Sequence, residues 1–326
     1  MKVPSRLQKD FLARKSSQLH EPVLLAEVLA LIPAEARLAI DGTIGGAGHA
    51  EAILQKLGSA GQLIGFDRDR DAIEMSRHRL SAFSNHVELF HDSYANLDRQ
   101  LGSQRLNSAD FALLDLGLSS YQFEQSKRGF SFQNPEEPLD LRFNCDEGEP
   151  LSVRLSKSSA DELTGVLREF GEVERARPLA REIIATSVQG RLRTAGELSD
   201  VVMHQFRGGK RKQLLAQVWQ ALRIWVNDEL TQVQNGLEKM IAYLGPGGVL
   251  AVISFHSLED RIVKGFFVKQ ENPCVCPKGF PTCVCGAKPT LERINRKAIK
   301  PTEAEIEMNP RARSARLRAA KKLAAK

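Results

Sequence analysis

The sequence predicts an α/β protein built on a parallel, doubly wound sheet, with a helical domain inserted into it. Three observations carry this. Short apolar runs alternate with helical patterns through the first third of the chain. From about 125 to 212 no run reads as a strand. Then a fully apolar run, Val249 to Phe255, resumes the sheet. Strands that alternate with helices are joined by right-handed crossovers, which align the strands' carboxyl ends along one edge, where ligands bind.

The elements follow in order. Leu38 to Asp41 (LAID) is the first strand and runs into a Gly-rich turn; a helix is predicted over 48–57. Gln62 to Asp67 is the second strand, 69–82 a helix, Val87 to Phe90 the third strand and Phe111 to Leu116 the fourth. In the insertion, Ser159 and Glu162 make a capping box for a helix that Gly171 stops. A second helix is predicted over roughly 173–189, ending at Gly190, and Thr194 with Glu197 caps a third. One long helix is predicted over 213–244, because Val218, Leu222, Val226, Leu230, Val233, Leu237, Ile241 and Leu244 recur at steps of three and four. After the fifth strand, Ser257 is expected to cap a helix whose first turn holds Glu259 and Asp260, where acids suit the dipole. The predicted division is a basic tail at 1–19, a sheet domain at 20–124 and 213–326, and the inserted helical domain at 125–212.

Composition bounds the rest. A chain of 326 residues suggests about two domains. Apolar residues at 42% and charged residues at 26% are ordinary for a globular protein and exclude collagen-like, coiled-coil and wholly disordered readings. The longest apolar stretches are strand-length, so no membrane span is expected, and the apolar core of a secretory signal is lacking near the amino terminus. The net charge is +6, but it sits in the tails. Residues 1–15 carry five basic residues and one acidic, and 309–326 carry seven basic and none acidic, leaving a body of net −5. Such a carboxyl-terminal cluster suits nucleic-acid phosphates, or simply solubility.

Five cysteines are present. Cys145 stands alone, while Cys274 with Cys276 and Cys283 with Cys285 form two Cys-Val-Cys pairs. The chain is too large and too cysteine-poor for a secreted disulfide scaffold, so a cytoplasmic setting with reduced thiols is expected. Four thiolates suffice for zinc, although C-x-C is tighter than the usual spacing. An unmetallated loop and an oxidation-prone pair are the alternatives.

Three motifs carry chemistry. DGTIGGAGH (Asp41 to His49) places glycines at the first strand's end, so that backbone N–H groups and a helix amino terminus can approach a ligand. Asp67 ends the second strand, where a carboxylate can accept hydrogen bonds from ribose hydroxyls. Counting from Gly46, the third position of a dinucleotide fingerprint is Glu51, so that fit fails; no G-K-[ST] follows, so a P-loop is excluded. An acid opening the loop and a second ending strand two suit S-adenosylmethionine, whose amino acid and ribose need polar partners. DLGLSSYQ (Asp115 to Gln122) lies at the tip of strand four and continues into KRGFSF and PLDLR, which add Arg128, Asp140 and Arg142. SFHSLEDR (Ser254 to Arg261) puts His256 at the same sheet edge.

With HEPVLL from His20, QALRIWVNDEL from Gln220, ISFHSLEDRIVK and NPRARSARLR from Asn309, these runs are similar to those of the ribosomal RNA small subunit methyltransferase H (MraW) family over roughly 20–320. The resemblance implies a class I (Rossmann-like) S-adenosylmethionine-dependent methyltransferase sheet with a helical insertion. It also implies methylation of N4 of a cytidine in the decoding region of 16S rRNA, in the small ribosomal subunit. Family binding positions fall on Ala47, Gly48, His49, Asp67, Tyr94, Asp115 and Gln122. The family usually has Gly at 47, Phe at 94 and Pro at 121. Here Ala47 is expected to keep φ below zero, since a left-handed turn disfavours a side chain. No metal is implied by this chemistry.

An exocyclic amine is a poor nucleophile, so the protein must align it and accept hydrogen bonds from its N–H groups. Asp115 with Ser119 or Ser120 is expected to do so, with His256 lining the pocket, on a base taken out of its stack. Residues 313–320 are expected to close the sheet as an antiparallel strand, with Arg316 and Arg318 sharing a face toward rRNA phosphates and Leu317 inward. A non-catalytic assembly factor, a nicotinamide oxidoreductase and a DNA amino-methyltransferase are the rival readings. They are disfavoured respectively by the intact loop motifs, by Glu51, and by D-L-G-L where the last would carry [DNS]-P-P-[YFW].

Overall fold

The structure, a computed structural model, describes residues 22–205, 211–276 and 284–324. The basic tail predicted at 1–19 and Cys283 lie outside the described residues. Among the described residues no helix is long and apolar enough to cross a membrane.

The sheet has seven strands: β1 (Leu38–Asp41), β2 (Gln62–Asp67), β3 (Val87–His91), β4 (Ala109–Asp115), β5 (Leu244–Ser254), β6 (Leu291–Arg293) and β7 (Arg316–Lys322). Their order is β3-β2-β1-β4-β5-β7-β6. β1 to β5 run parallel, and β7 pairs antiparallel with both β5 and β6. This is the class I methyltransferase sheet that the sequence predicts. The chain winds outward from β1 through β2 to β3, then returns to β4 on the other side of β1. That reversal makes the β1/β4 carboxyl edge the switch point where such sheets bind ligands.

The chain forms two compact units. The sheet unit holds the described residues up to Asp67, Asp71–Gly117 and those from Gly236 onward; the helical unit holds Arg68–Arg70 and Leu118–Asn235. The core of the sheet unit includes Ala39, Ile44, Ile53, Leu63, Phe111, Leu113, Ala251, Ile253 and Leu317. The helical unit has its own core, with Leu151, Leu163, Leu167, Leu179, Ile183, Leu198, Val218, Leu222 and Trp225. The three predicted insertion helices are Ala160–Glu169, Ala176–Val188 and Ala195–Gln205, and no strand occurs among the described residues of this unit.

Two expectations are corrected here. The single helix predicted over 213–244 is two, Arg211–Asn227 and Glu229–Tyr243. Asp228 between them has φ +50°. Asn227 sends its amide out of the helix, donating to Leu141 O at 2.7 Å and accepting from Phe143 N at 2.8 Å. The apolar stripe runs on across this break, so periodicity alone does not register it. The last strand starts at Arg316 rather than 313, because residues Pro310–Ser314 form a 3-10 turn capped by Asn309. Leu317 points inward as expected and is fully buried. Arg318 does not face solvent: it is 8% exposed and donates to Asp260 at 2.7 and 3.0 Å, with Arg316 adding a bond at 3.2 Å. Both guanidiniums expected to meet phosphate are thus bonded to one carboxylate within the sheet unit, and that of Arg318 is buried as well.

Candidate functional site

Three carboxyl groups mark the strand ends of the sheet unit. Asp41, Asp67 and Asp115 are the last residues of β1, β2 and β4. The DGTIGGAGH loop is stitched to all three. Asp41 Oδ1 accepts from Thr43 N at 3.0 Å, Gly45 N donates to Asp67 Oδ2 at 2.9 Å, and Asp115 N donates to Thr43 Oγ1 at 2.6 Å. Asp41 is 1% exposed. Burial pushes its pKa up to about 7, with the nearby Asp67 charge adding to the rise. Asp115 is raised well above the carboxylate range, first by burial and then by the charges of Asp41 and Glu259. Its Oδ1 is buried and has no hydrogen-bond partner.

The second Asp115 oxygen faces His49. The imidazole is buried, and its Nε2 lies 3.0 Å from Val23 O. A carbonyl can only accept, so Nε2 carries the hydrogen and Nδ1 presents a lone pair. That lone pair lies 3.5 Å from Asp115 Oδ2. Burial lowers the His49 pKa to about 4, which favours the neutral ring.

Ala47 departs from expectation. It is the residue before the helix Gly48–Leu57 and has φ 60° and ψ 24°, in the left-handed region. Its N–H donates to Ile44 O at 2.7 Å and its carbonyl accepts from Glu51 N at 3.0 Å, so the surrounding turn dictates the conformation that alanine disfavours. Gly48 opens the helix, and a Cβ there would overlap Pro22. Tyr94 is buried at the start of a 3-10 turn after β3. Its ring lies so close to Gly236 that a Cβ there would collide with it, and Gly42 is crowded by its Cβ.

His256, not Ser257, is the N-cap of the helix Ser257–Glu271. Glu259 N donates to His256 Nδ1 at 3.4 Å, and Glu259 Oε2 accepts from Phe255 N and His256 N at 2.9 and 3.3 Å. His256 Nε2 sits 3.1 Å from Glu259 Oε1, though without the alignment of a hydrogen bond. The predicted residues Ala47, Gly48, His49, Asp67, Tyr94, Asp115 and His256 all belong to the sheet unit.

Ser119, Ser120 and Gln122 belong to the helical unit. Ser119 caps the short helix Ser120–Glu124: its Oγ accepts from Gln122 N at 3.2 Å, and Gln122 Oε1 accepts from Ser119 N at 3.0 Å. Gln122 Nε2 donates to Asp69 Oδ2 at 3.1 Å. Asp69 also pairs with Arg128, whose Nη1 reaches Phe143 O at 2.8 Å. Asp140 holds Arg142 in a two-point bond of 2.7 and 2.8 Å.

Sequence reasoning passed over Thr43 and Asp69, and read Glu259 only as an acid suited to the helix dipole and not as the capping-box partner of His256. Thr43 stands two after Asp41, the spacing of a side-chain turn, and Glu259 stands three after His256, the spacing of a capping box. Nothing in the sequence marks Asp69 as the partner of Arg128.

Residues 17–323 match the MraW methylase family. A ribosomal RNA small subunit methyltransferase H from Syntrophotalea carbinolica is 43% identical over 308 residues, covering 93% of this chain and 98% of that protein. Proteins of the same name from Citrifermentans bemidjiense and Heliobacterium modesticaldum are 41% and 39% identical, each over 93% of this chain and 98% of their own length.

Proposed function

The chain belongs to the MraW methylase family, and from that premise we propose that it methylates N4 of a cytidine in the decoding region of 16S rRNA, with S-adenosylmethionine as donor, in the cytoplasm. The observation that carries the reading is the two carboxyl groups at the switch point, Asp41 buried and Asp115 half-buried. Asp41 and Asp115 have raised pKa values, and Asp115 Oδ1 is without a partner. Such a pair suits a ligand that brings positive charge, and S-adenosylmethionine carries a sulfonium and an ammonium group. The donor, when bound, supplies a methyl group already activated toward nucleophiles.

The chain's own residues do the rest. Asp67 suits the ribose hydroxyls, with its carboxylate position fixed by Gly45 N. The first turn of the helix beginning at Gly48 presents backbone N–H groups to the carboxylate of the donor. Tyr94, wedged against Gly42 and Gly236, walls the adenosine side and excludes water. Asp115 Oδ1 accepts a hydrogen bond from the N4–H of the target cytidine and takes up the proton that the amine loses. Positive charge beside Asp115 lowers its pKa toward the ionised form that this role needs. Holding the amine in line with the methyl–sulfur bond converts a sluggish encounter into an oriented one.

The test is methyl transfer from labelled donor to small ribosomal subunits lacking the modification and to naked 16S rRNA, with the product nucleoside identified by mass spectrometry. N4-methylcytidine in the decoding region is the expected product. Label on another base or position, or on neither substrate, overturns the reading.

A further inference from the structure

We propose that Cys274, Cys276 and Cys285 form a zinc site that staples the loop between the helix Ser257–Glu271 and β6, a role separate from methyl transfer. The three thiol sulfurs lie within 4.8 Å of one another, and Cys274 Sγ and Cys285 Sγ are 3.8 Å apart. Zinc–thiolate bonds of about 2.3 Å in tetrahedral geometry set neighbouring sulfurs about 3.8 Å apart, whereas a disulfide needs about 2.05 Å. The spacing is therefore that of two ligands on one metal. Thiolate ligands select zinc over magnesium or calcium.

The loop also needs a staple. It leaves the helix at Glu271 and returns to the same place: Thr290 N donates to Gln270 O at 3.0 Å, and Arg293 Nε donates to Glu271 Oε2 at 2.8 Å. The chain between these anchors has no helix or strand among its described residues. Its described apolar side chains stay outside both cores: Val275 and Val284 are 80% and 74% exposed. Such exposed, irregular stretches at both ends of the loop have little to offset their ordering entropy. A metal held by three thiolates supplies that stabilisation, as in small domains that fold around zinc. Binding displaces the thiol protons and involves no change of oxidation state.

The experiment uses the full chain, purified with its thiols reduced and supplied with zinc chloride. Metal analysis should find one zinc per chain in the wild type and in Cys145→Ser, and none in the triple variant Cys274→Ser, Cys276→Ser, Cys285→Ser. Cobalt(II) in place of zinc should give an intense near-ultraviolet thiolate-to-metal band in wild type and Cys145→Ser, a readout that does not depend on the triple variant folding. Absence of zinc from the wild type, equal zinc in the triple variant, absence of the cobalt band, or an intact mass showing a disulfide among these cysteines in the reduced preparation overturns the proposal.

Discussion

The two units differ in how they treat the acids they bury. In the helical unit, each buried carboxylate is matched by a guanidinium. Asp69 pairs with Arg128, and Glu229 receives Arg223 through two bonds of 2.8 and 3.0 Å. In the sheet unit, Asp41 is buried and Asp115 half-buried at the strand ends, with no arginine or lysine paired to either among the described residues. The contrast is not a general property of the sheet unit. There Asp260 is paired with Arg318 and Arg316; burial raises its pKa, and those two guanidiniums more than reverse the rise. A buried carboxylate paired with arginine is scaffold: the charge is already compensated and its removal leaves an orphan. A carboxyl with a raised pKa and no such partner suits a ligand that brings the compensating charge.

The contrast is broken most directly at Asp115. Asp115→Ala should lower methyl transfer by roughly 10²–10⁴-fold, the range for loss of a positioned proton acceptor, with unchanged far-ultraviolet circular dichroism. Near-normal turnover would show that the unpaired acid is not reserved for the reaction. The matching test in the helical unit is Asp69→Ala, which strands the buried Arg128 guanidinium without its counter-charge. We expect a loss of about 3–5 kcal/mol in unfolding free energy by denaturant titration. A loss under about 1 kcal/mol would mean that the Arg128 bonds to Arg142 O and Phe143 O already compensate it.

How much of this was legible in the sequence differs between the units for a physical reason. The strands and the edge residues Asp41, Asp67 and Asp115 were readable because a parallel sheet buries continuous apolar runs, and an acid that ends such a run stands out. In the helical unit, helices and capping boxes were readable from local spacing, but Asp69–Arg128 joins residues 59 positions apart, which no periodicity encodes. Asn227 was hidden in the same way: its partners lie 84 and 86 positions away, while the apolar stripe around it reads as unbroken helix. His256 shows the converse. The motif SFHSLEDR was visible, yet Ser257 looked like the cap, because serine caps helices far more often than histidine.

Asp41 sharpens the comparison through pH. Its folded pKa of about 7 stands above the ordinary value of 3.8, so between those values the folded state holds a proton that the unfolded state has lost. Stability contributed by Asp41 is therefore full below pH 3.8 and declines as pH rises toward 7. Asp41→Asn removes that decline. The difference in unfolding free energy between the variant and wild type, both without cofactor, should grow across this window to about 2–4 kcal/mol in the variant's favour. His49 contributes the opposite trend, since its folded value of about 4 lies below 6.5 and stability is lost as pH falls between them. That trend is common to both proteins and cancels in the difference. A difference that stays flat with pH would show that Asp41 is ionised in the folded state, and so has compensation beyond its bond from Thr43.

The smallest expected effect is at Ala47, where the same edge stores backbone strain instead of charge. A left-handed conformation costs an L-residue roughly 1–2 kcal/mol, and Ala47 adopts it at φ 60° because the turn closed by its N–H to Ile44 O leaves no alternative. Ala47→Gly removes that cost. Against it stand the extra freedom of glycine in the unfolded chain, about 0.4–1 kcal/mol, and the loss of one buried methyl, about 0.8 kcal/mol at most. The terms nearly cancel, leaving at most about 1.6 kcal/mol in glycine's favour by thermal or denaturant unfolding. Destabilisation by more than about 1 kcal/mol would mean that the buried methyl, and not the turn, dominates this position. Ala47→Val separates the two: it enlarges the buried group but aggravates the strained φ, so it should destabilise if the turn dictates the backbone there.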